Sequence, residues 1–148
     1  MKLKIAWIGK TKDPAIQALT DEYLKRLSRF AQAEGLALRD EAALLQLAAH
    51  GGASRSRLTL VLLDGRGQQM SSEELARFLG DCALQSSPPL LFALGPADGF
   101  SEQARKSASL VLSLGKMTIA HELARVLLLE QLYRGYTILK GHPYHLGH

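Results

Sequence analysis

The sequence predicts a three-layer α/β fold built on a parallel-type sheet. Residues 58–63 and 90–94 are uninterrupted apolar runs, which are typical of strands buried on both faces of a parallel sheet. Segments with helical periodicity alternate with such runs, as a parallel sheet with crossover helices requires. The 148 residues, 47% hydrophobic and 22% charged, are enough for one domain of this kind, so we expect residues 1–148 to form a single domain.

The first half of the chain supplies two strands and two helices. Residues 2–8 predict a strand that Gly9 ends, and Asp13-Pro14 can open the helix that follows. Apolar residues recur at every third or fourth position of that helix up to Phe30. The pattern then predicts a short strand at 36–39, a short helix at 41–49 and a mobile, weakly basic loop at 51–57.

The second half continues the alternation. After the strand at 58–63, residues 64–67 are expected to turn the chain. Ser71 and Glu74 have the spacing of a capping box, which begins a helix that continues to about residue 85. The remaining predicted elements are a strand at 90–94, a short helix at 101–108, a strand at 110–114, a final helix at 121–137 and a tail from residue 140.

Charge and hydropathy limit the partners of the protein. The net charge is +4, and residues 1–29 carry seven Lys or Arg against three acids. Such an excess suits an RNA partner, although many proteins without one share it. No apolar run reaches the roughly 18 residues of a membrane span, and the amino-terminal segment lacks the apolar block of a signal peptide. We therefore expect a cytoplasmic protein with no membrane partner.

Two loops are candidates for ligand binding. The chain has neither a phosphate-binding P-loop, nor a complete dinucleotide fingerprint, nor a serine nucleophile elbow. Residues 95–99 and 115–119 each follow a buried strand, and open α/β sheets bind ligands at that edge. Gly95 and Gly115 would let a ligand approach backbone amides and carbonyls that can hydrogen-bond an adenine edge. The alternative interpretation is that both are ordinary turns.

The final helix is apolar around nearly its whole circumference, which is more than one sheet face requires. The simplest use of the surplus is homodimerisation through this helix. Glu130 and Arg134 stand four residues apart, and an ion pair between them needs no functional explanation. His142, His145 and His148 in the tail suggest a metal site, but an unstructured tail must lose entropy to bind, and we expect no metal.

Four ordered motifs resemble one family. They are LGPADGF at 94–100, LSLGKMTIAH at 112–121, RVLLLEQLYR at 125–134 and HPYH at 142–145. The family is the SPOUT-class ribosomal RNA large subunit methyltransferase H family, which methylates N3 of a pseudouridine in 23S ribosomal RNA. Further matching features lie at 1–10, at 23–26 and at Leu63-Asp64, so the resemblance spans nearly the whole chain.

The resemblance implies a carboxyl-terminal trefoil knot, a homodimer and S-adenosyl-L-methionine as cofactor. It implies a target in the helix 69 loop of the assembled ribosome, with the large-subunit RNA as partner. The cofactor contacts implied are Leu63, Gly95, Leu114, Gly115, Lys116, Met117, Thr118 and Ile119. These positions fall on the same two loops and on the end of the strand at 58–63.

The catalytic residues implied by the resemblance lie further along the chain. We expect Arg125, Arg134, Tyr144 and His145 to position the substrate near the methyl group, and the tail of one subunit can close the pocket of the other. His121 and His145 are the candidates for the general base that removes the N3 proton.

The chain departs from the family pattern at Pro96, at Ala120, in the residues 146–148 that end the tail, and in a shortened basic loop. These departures leave two alternatives open. The first is a SPOUT methyltransferase that acts on transfer RNA, because the shortened loop can alter substrate choice. The second is a non-catalytic, knotted dimer that binds RNA.

Overall fold

The structure is a computed structural model that describes residues 1–147. The elements in chain order are β1 (Lys2–Ile8), α1 (Pro14–Leu27), β2 (Gln32–Leu38), α2 (Glu41–His50), β3 (Thr59–Gln69), α3 (Ser72–Leu84), β4 (Leu90–Leu94), α4 (Glu102–Ser107), β5 (Leu110–Ser113) and α5 (His121–Leu139). Single 3₁₀ turns occur at Ala53–Arg55 and His145–Gly147. None of the helices in the described part of the chain is long and apolar enough to cross a membrane.

The five strands form one sheet in the order β2-β1-β4-β3-β5, and every neighbouring pair is parallel. The predicted parallel α/β fold is confirmed. Side chains alternate between the two faces: Ile5 and Phe92 pack with α1, α3 and α5, whereas Ala6 and Leu91 pack with α2 and α4. Helices therefore cover both faces of the sheet, which gives the expected three layers.

Two strand predictions were wrong. The second strand begins at Gln32 and not at residue 36, because pairing with all of β1 from Lys2 to Ile8 overrides its weak apolar pattern. Residues 64–67 do not end β3. The strand passes through an irregularity between Leu63 and Gln68, both of which align with Leu112 of β5.

Predicted helix caps are confirmed. Asp13 caps α1 with Pro14 in its first turn, and Ser71 and Glu74 form both hydrogen bonds of the capping box of α3. Helix α5 ends at Leu139, two residues later than expected, and lies between α1 and α3 on one face of the sheet. The tail predicted to be unstructured instead folds into a turn against α5, while His148 lies outside the described residues.

Candidate functional site

An open cleft of about 650 Å³ lies at the carboxyl ends of β4 and β5, beside the irregular segment of β3 that follows Leu63. Because parallel strands present their carboxyl ends at one edge of the sheet, the loops that follow β4 and β5 meet there. The loop at 113–120 leads directly into α5, so that helix begins at the cleft. The cleft is lined by residues 63–66, 94–99, 113–121 and 124.

The structure brings all eight predicted cofactor residues to this cleft. Strand β3 provides Leu63 just before its irregularity, the loop after β4 provides Gly95, and the loop after β5 provides the other six. Apolar residues such as Leu114 and Ile119 alternate with glycines along this lining, which suits a flat, heteroaromatic ligand.

Two glycines let the backbone form the walls of the cleft. A Cβ atom on Gly95 would lie 2.9 Å from the ring of Phe100, which packs directly beneath this residue. Gly115 has a φ of +134°, a conformation that L side chains rarely adopt. A side chain at either position would change the shape of the cleft.

A buried carboxylate links the cleft segment of β3 to α4. The side chain of Asp64 is 5% exposed and accepts hydrogen bonds from the amide and the guanidinium of Arg66. Arg105 of α4 approaches the same carboxylate at 3.9 Å and donates to the carbonyl of Phe100 at 2.6 Å. Burial by itself raises the pKa of Asp64, but the hydrogen bonds from Arg66 outweigh it and leave the pKa below its usual value.

His121 and Arg125 do not share an environment. His121 is exposed at the start of α5 and lines the cleft. Arg125 is only 1% exposed and is not among the cleft residues. Its Nη1 donates to the hydroxyl of Thr11 at 2.7 Å, and its guanidinium stacks on Trp7. Burial lowers the pKa of Arg125, and its Nε has no hydrogen-bond partner within the described residues.

Arg134, Tyr144 and His145 form one hydrogen-bonded cluster, which we call the tail cluster together with Glu130 and Glu73. Glu130 accepts from Arg134 and from the Tyr144 hydroxyl, each at 2.7 Å. The predicted i,i+4 ion pair is thus confirmed. Burial, followed by the bond to Glu130, raises the pKa of Tyr144.

The geometry of the tail cluster assigns the protons of His145. Arg134 can only donate, so the contact of 3.0 Å between its Nη1 and Nδ1 of His145 uses the lone pair of that nitrogen. The proton of a neutral ring then lies on Nε2, which is 2.9 Å from the carboxylate of Glu73. In this arrangement His145 has no free lone pair with which to accept a substrate proton.

Within one chain the tail cluster and the cleft are far apart. His121 and Arg134 are both on α5, and at a rise of about 1.5 Å per residue they are separated by about 20 Å along the helix axis. The structure therefore places the predicted catalytic residues in three locations: His121 at the cleft, Arg125 in the core, and the other three in the tail cluster.

The sequence interpretation missed several residues at these locations. Asp64 and Arg66 line the cleft, and they directly follow the apolar run at 58–63, so the sequence rule that selected the other two loops applies to them as well. Glu73 was assigned no role, since only the fold brings α3 to the tail. Among residues 1–147, no three potential metal ligands come together.

Comparison with known proteins agrees with this architecture. A model of the family described as "Predicted SPOUT methyltransferase" matches residues 1–145. The ribosomal RNA large subunit methyltransferase H of Koribacter versatilis is 61% identical over 148 residues, covering 100% of both chains. The protein of the same name from Geotalea daltonii is 43% identical over 152 residues, covering 98% of this chain and 99% of its own.

Two solved structures share the fold at low sequence identity. The SpoU methyltransferase AviRb of Streptomyces viridochromogenes, in complex with the cofactor AdoMet, has a TM-score of 0.53 and 11% identity, covering 90% of this chain and 57% of that one. A probable methylase family protein from Haemophilus influenzae has a TM-score of 0.57 and 12% identity, covering 96% of this chain and 69% of that one. From the match over residues 1–145 and the full-length relatives, the chain belongs to the family of SPOUT methyltransferases that includes the ribosomal RNA large subunit methyltransferase H proteins.

Proposed function

We propose that the protein is a homodimeric methyltransferase that transfers a methyl group from S-adenosyl-L-methionine to N3 of a pseudouridine in 23S ribosomal RNA. The observation that carries the proposal is the convergence of all eight family cofactor positions on one cleft. The full-length relative at 61% identity is named for the large-subunit RNA, which supports that target. The helix 69 loop of the assembled ribosome is the site that the family resemblance favours.

The residues at the cleft fit the proposed cofactor. Leu63, Leu114 and Ile119 offer apolar contacts, and main-chain groups of the loops at 94–99 and 114–119 are the candidates for hydrogen bonds to an adenine, apart from the amide of Gly115, which donates to the hydroxyl of Ser113. When bound, the cofactor supplies an electrophilic methyl group on its sulfonium. The N3–CH₃ bond forms as the S–CH₃ bond breaks, and the N3 proton must leave. The task of the protein is to align N3 with the methyl carbon and to receive that proton.

Homodimerisation is supported by the surface of α5. Leu128, Leu129 and Leu132 are fully buried in the core, but Leu123 and Leu127, four residues apart on the helix, are 50% and 43% exposed. A second cavity of about 370 Å³ continues this apolar surface from Leu127 across to α3. A second copy of the chain would cover these residues.

A dimer would also allow a tail cluster and a cleft to lie close together, although the two are far apart within one chain. We propose that the tail cluster of one subunit faces the cleft of the other, where Arg134, Tyr144 and His145 position the RNA. A phosphate or base that binds Arg134 would compete with Glu130 and release His145 from its bond to Arg134. His145 could then accept the proton, and His121 at the cleft is the other candidate base.

Arg125 has an indirect role in this proposal. It joins α5 to Trp7 at the end of β1 and to Thr11 in the next loop, so it positions the start of α5 beside the cleft. We also propose the trefoil knot, supported by the family motifs and by the path of the chain from β5 to a helix that lies between α1 and α3.

Three measurements test the proposal. Mass spectrometry of large-subunit RNA from cells that lack the gene should show the loss of one methyl group on a pseudouridine, and an unchanged spectrum would overturn the assignment. Calorimetry should show saturable binding of S-adenosyl-L-methionine that Gly95→Trp abolishes, because a side chain there collides with Phe100. Methylation of purified transfer RNA instead of ribosomal RNA would favour a methyltransferase that acts on transfer RNA. The absence of cofactor binding would favour a non-catalytic dimer that binds RNA.

A further inference from the structure

The cluster formed by Asp64, Arg66 and Arg105 has an unbalanced charge. Two guanidinium groups face a single carboxylate, so the three side chains together carry one net positive charge. In the described residues, neither arginine has another carboxylate within ion-pair distance. Since Asp64 is 5% exposed and its pKa is lowered, it stays ionised near neutral pH, and the excess charge is a constant feature of this wall of the cleft.

Arg66 is the member of this cluster that can reach a ligand. Its side chain is 61% exposed and the residue lines the cleft, whereas the side chain of Arg105 is 24% exposed and its residue does not line the cleft. The guanidinium of Arg66 is nevertheless held in place. Nε and Nη2 each donate to the Asp64 carboxylate at 3.2 Å, and Nη2 also approaches the carbonyl of Phe100 at 3.4 Å.

These bonds leave one nitrogen of Arg66 available. Nη1 carries two hydrogens and makes no hydrogen bond to any residue from 1 to 147. A guanidinium whose position is already fixed loses little entropy when it binds an anion, and it offers directional hydrogen bonds. Arg66 thus presents a preformed anion-binding group inside the cleft, close to the loop at 95–99.

We infer that Arg66, held by Asp64, binds the carboxylate of the methionine moiety of S-adenosylmethionine. This inference rests on the proposed function of the cleft. An adenine against the loop at 114–119 would leave the wall formed by β3, where Arg66 lies, available to the amino-acid end of the cofactor. Lys116 is the other lysine or arginine among the described residues that line the cleft, and it is exposed in a loop, without the fixed geometry of Arg66.

The test compares two ligands that differ only in the carboxylate. Calorimetry is performed on the full-length wild type, Arg66→Ala and Arg66→Lys, with S-adenosylmethionine and with decarboxylated S-adenosylmethionine. We expect Arg66→Ala to weaken binding of S-adenosylmethionine by about 10-fold to 100-fold, the range for a hydrogen bond to a charged group. Binding of the decarboxylated ligand should change by less than about twofold, because the partner of Arg66 is already missing. Arg66→Lys should recover only part of the affinity.

The control is Arg29→Ala, which removes an exposed arginine beyond the end of α1, and it should leave both dissociation constants unchanged. Equal losses for the two ligands would overturn the inference, as would no loss for either. Weaker RNA binding by Arg66→Ala with unchanged cofactor binding would assign Arg66 to a phosphate instead. If the wild type binds neither ligand, the proposed function is wrong. If the wild type binds both ligands and Arg66→Ala has the same dissociation constants, only the proposed role of Arg66 is wrong. The thermal midpoint of each variant shows whether it is folded.

Discussion

The guanidinium carbon of Arg125 lies 3.9 Å from the centroid of the Trp7 ring. This arrangement buries a cation among residues that offer it two hydroxyl groups and an aromatic face, and no carboxylate of residues 1–147 lies at ion-pair distance from it. Desolvation of an unpaired cation is costly, and a cation–π contact offsets part of that cost. Arg125 therefore fits a positioning role better than a purely stabilising one.

Replacement of Arg125 should separate the effects of charge and volume. Arg125→Met keeps most of the side-chain volume and removes the desolvation cost, so we expect its free energy of unfolding to equal or exceed that of the wild type. Arg125→Ala leaves a cavity and should lose about 2–4 kcal/mol. Urea denaturation at one fixed protein concentration measures both. A loss in Arg125→Met as large as that in Arg125→Ala would show that the charge itself stabilises the fold.

The carboxylate of Asp64 should make the free energy of unfolding depend on pH in the acidic range. Its pKa in the folded protein is lowered from 3.8, so its stabilising contribution is complete above that value and disappears as the pH falls through the lower, folded value. Asp64→Asn has no such group. The difference in unfolding free energy between the wild type and Asp64→Asn should be constant near neutral pH and should shrink below pH 3.8.

Chemical denaturation over a pH series measures this difference. Two parallel curves down to the most acidic point would contradict the prediction, since they would mean that Asp64 has the same pKa in the folded and unfolded chains. The experiment also reports on the wall of the cleft, because Asp64 is the group that holds Arg66 in place.

Local chemistry was enough to predict much of the fold. The apolar runs gave β3 and β4, and the capping residues placed the starts of α1 and α3, because these signals lie within a few residues of the element itself. The strand β2 was placed too late, since its extent is decided by pairing with β1, which is distant in sequence. The bulge through which β3 continues past residue 63 also depends on a segment distant in sequence, because Gly67 lies against the backbone of Val111.

The site divides in the same manner. The half proposed to bind the cofactor lies mainly in the loops that follow β4 and β5, so a general rule for parallel sheets points to it. The other half depends on contacts between α3, α5 and the tail, such as the one between Glu73 and His145, and no local pattern predicts these contacts. The sequence did not predict the burial of Arg125 either, because the spacing between His121 and Arg125 does not determine which side of α5 packs against Trp7.

Two glycines at the cleft should respond differently to alanine. A Cβ on Gly95 would press on the ring of Phe100 at 2.9 Å, whereas a Cβ on Gly65 meets nothing within 4 Å and needs no unusual φ. We expect Gly95→Ala to weaken binding of S-adenosylmethionine by about tenfold or more, because the ring must move and the loop with it. Gly65→Ala, the matched control in the same cleft, should change binding by less than about twofold.

A second substitution makes the cause testable. If the ring of Phe100 transmits the effect, then Phe100→Leu introduced together with Gly95→Ala should recover part of the lost affinity, even though Phe100→Leu alone weakens the packing beneath the loop. Purely additive losses would place the effect of Gly95→Ala in the ligand contact itself. Calorimetry on the wild type and the three variants completes the cycle.

The distance between the cleft and the tail cluster makes a prediction about mixed dimers. Gly95→Trp blocks the cleft, and Arg134→Ala removes the cation that bonds Glu130 and His145, so each variant alone should lack methyl transfer to ribosomal RNA. In a dimer with one subunit of each kind, the cleft of the Arg134→Ala subunit and the tail cluster of the Gly95→Trp subunit are both intact. If active sites form between subunits, random pairing of equal amounts should restore about a quarter of the wild-type activity. If each site used the cleft and tail of one chain, no mixed dimer would have a complete site, and the mixture would stay inactive.

Methyl incorporation after subunit exchange distinguishes the two arrangements. An inactive mixture in which native mass spectrometry detects mixed dimers would contradict the shared site. The separation of about 20 Å along α5 is the physical reason to expect activity, since a rigid helix cannot bring His121 and Arg134 of one chain to the same substrate base.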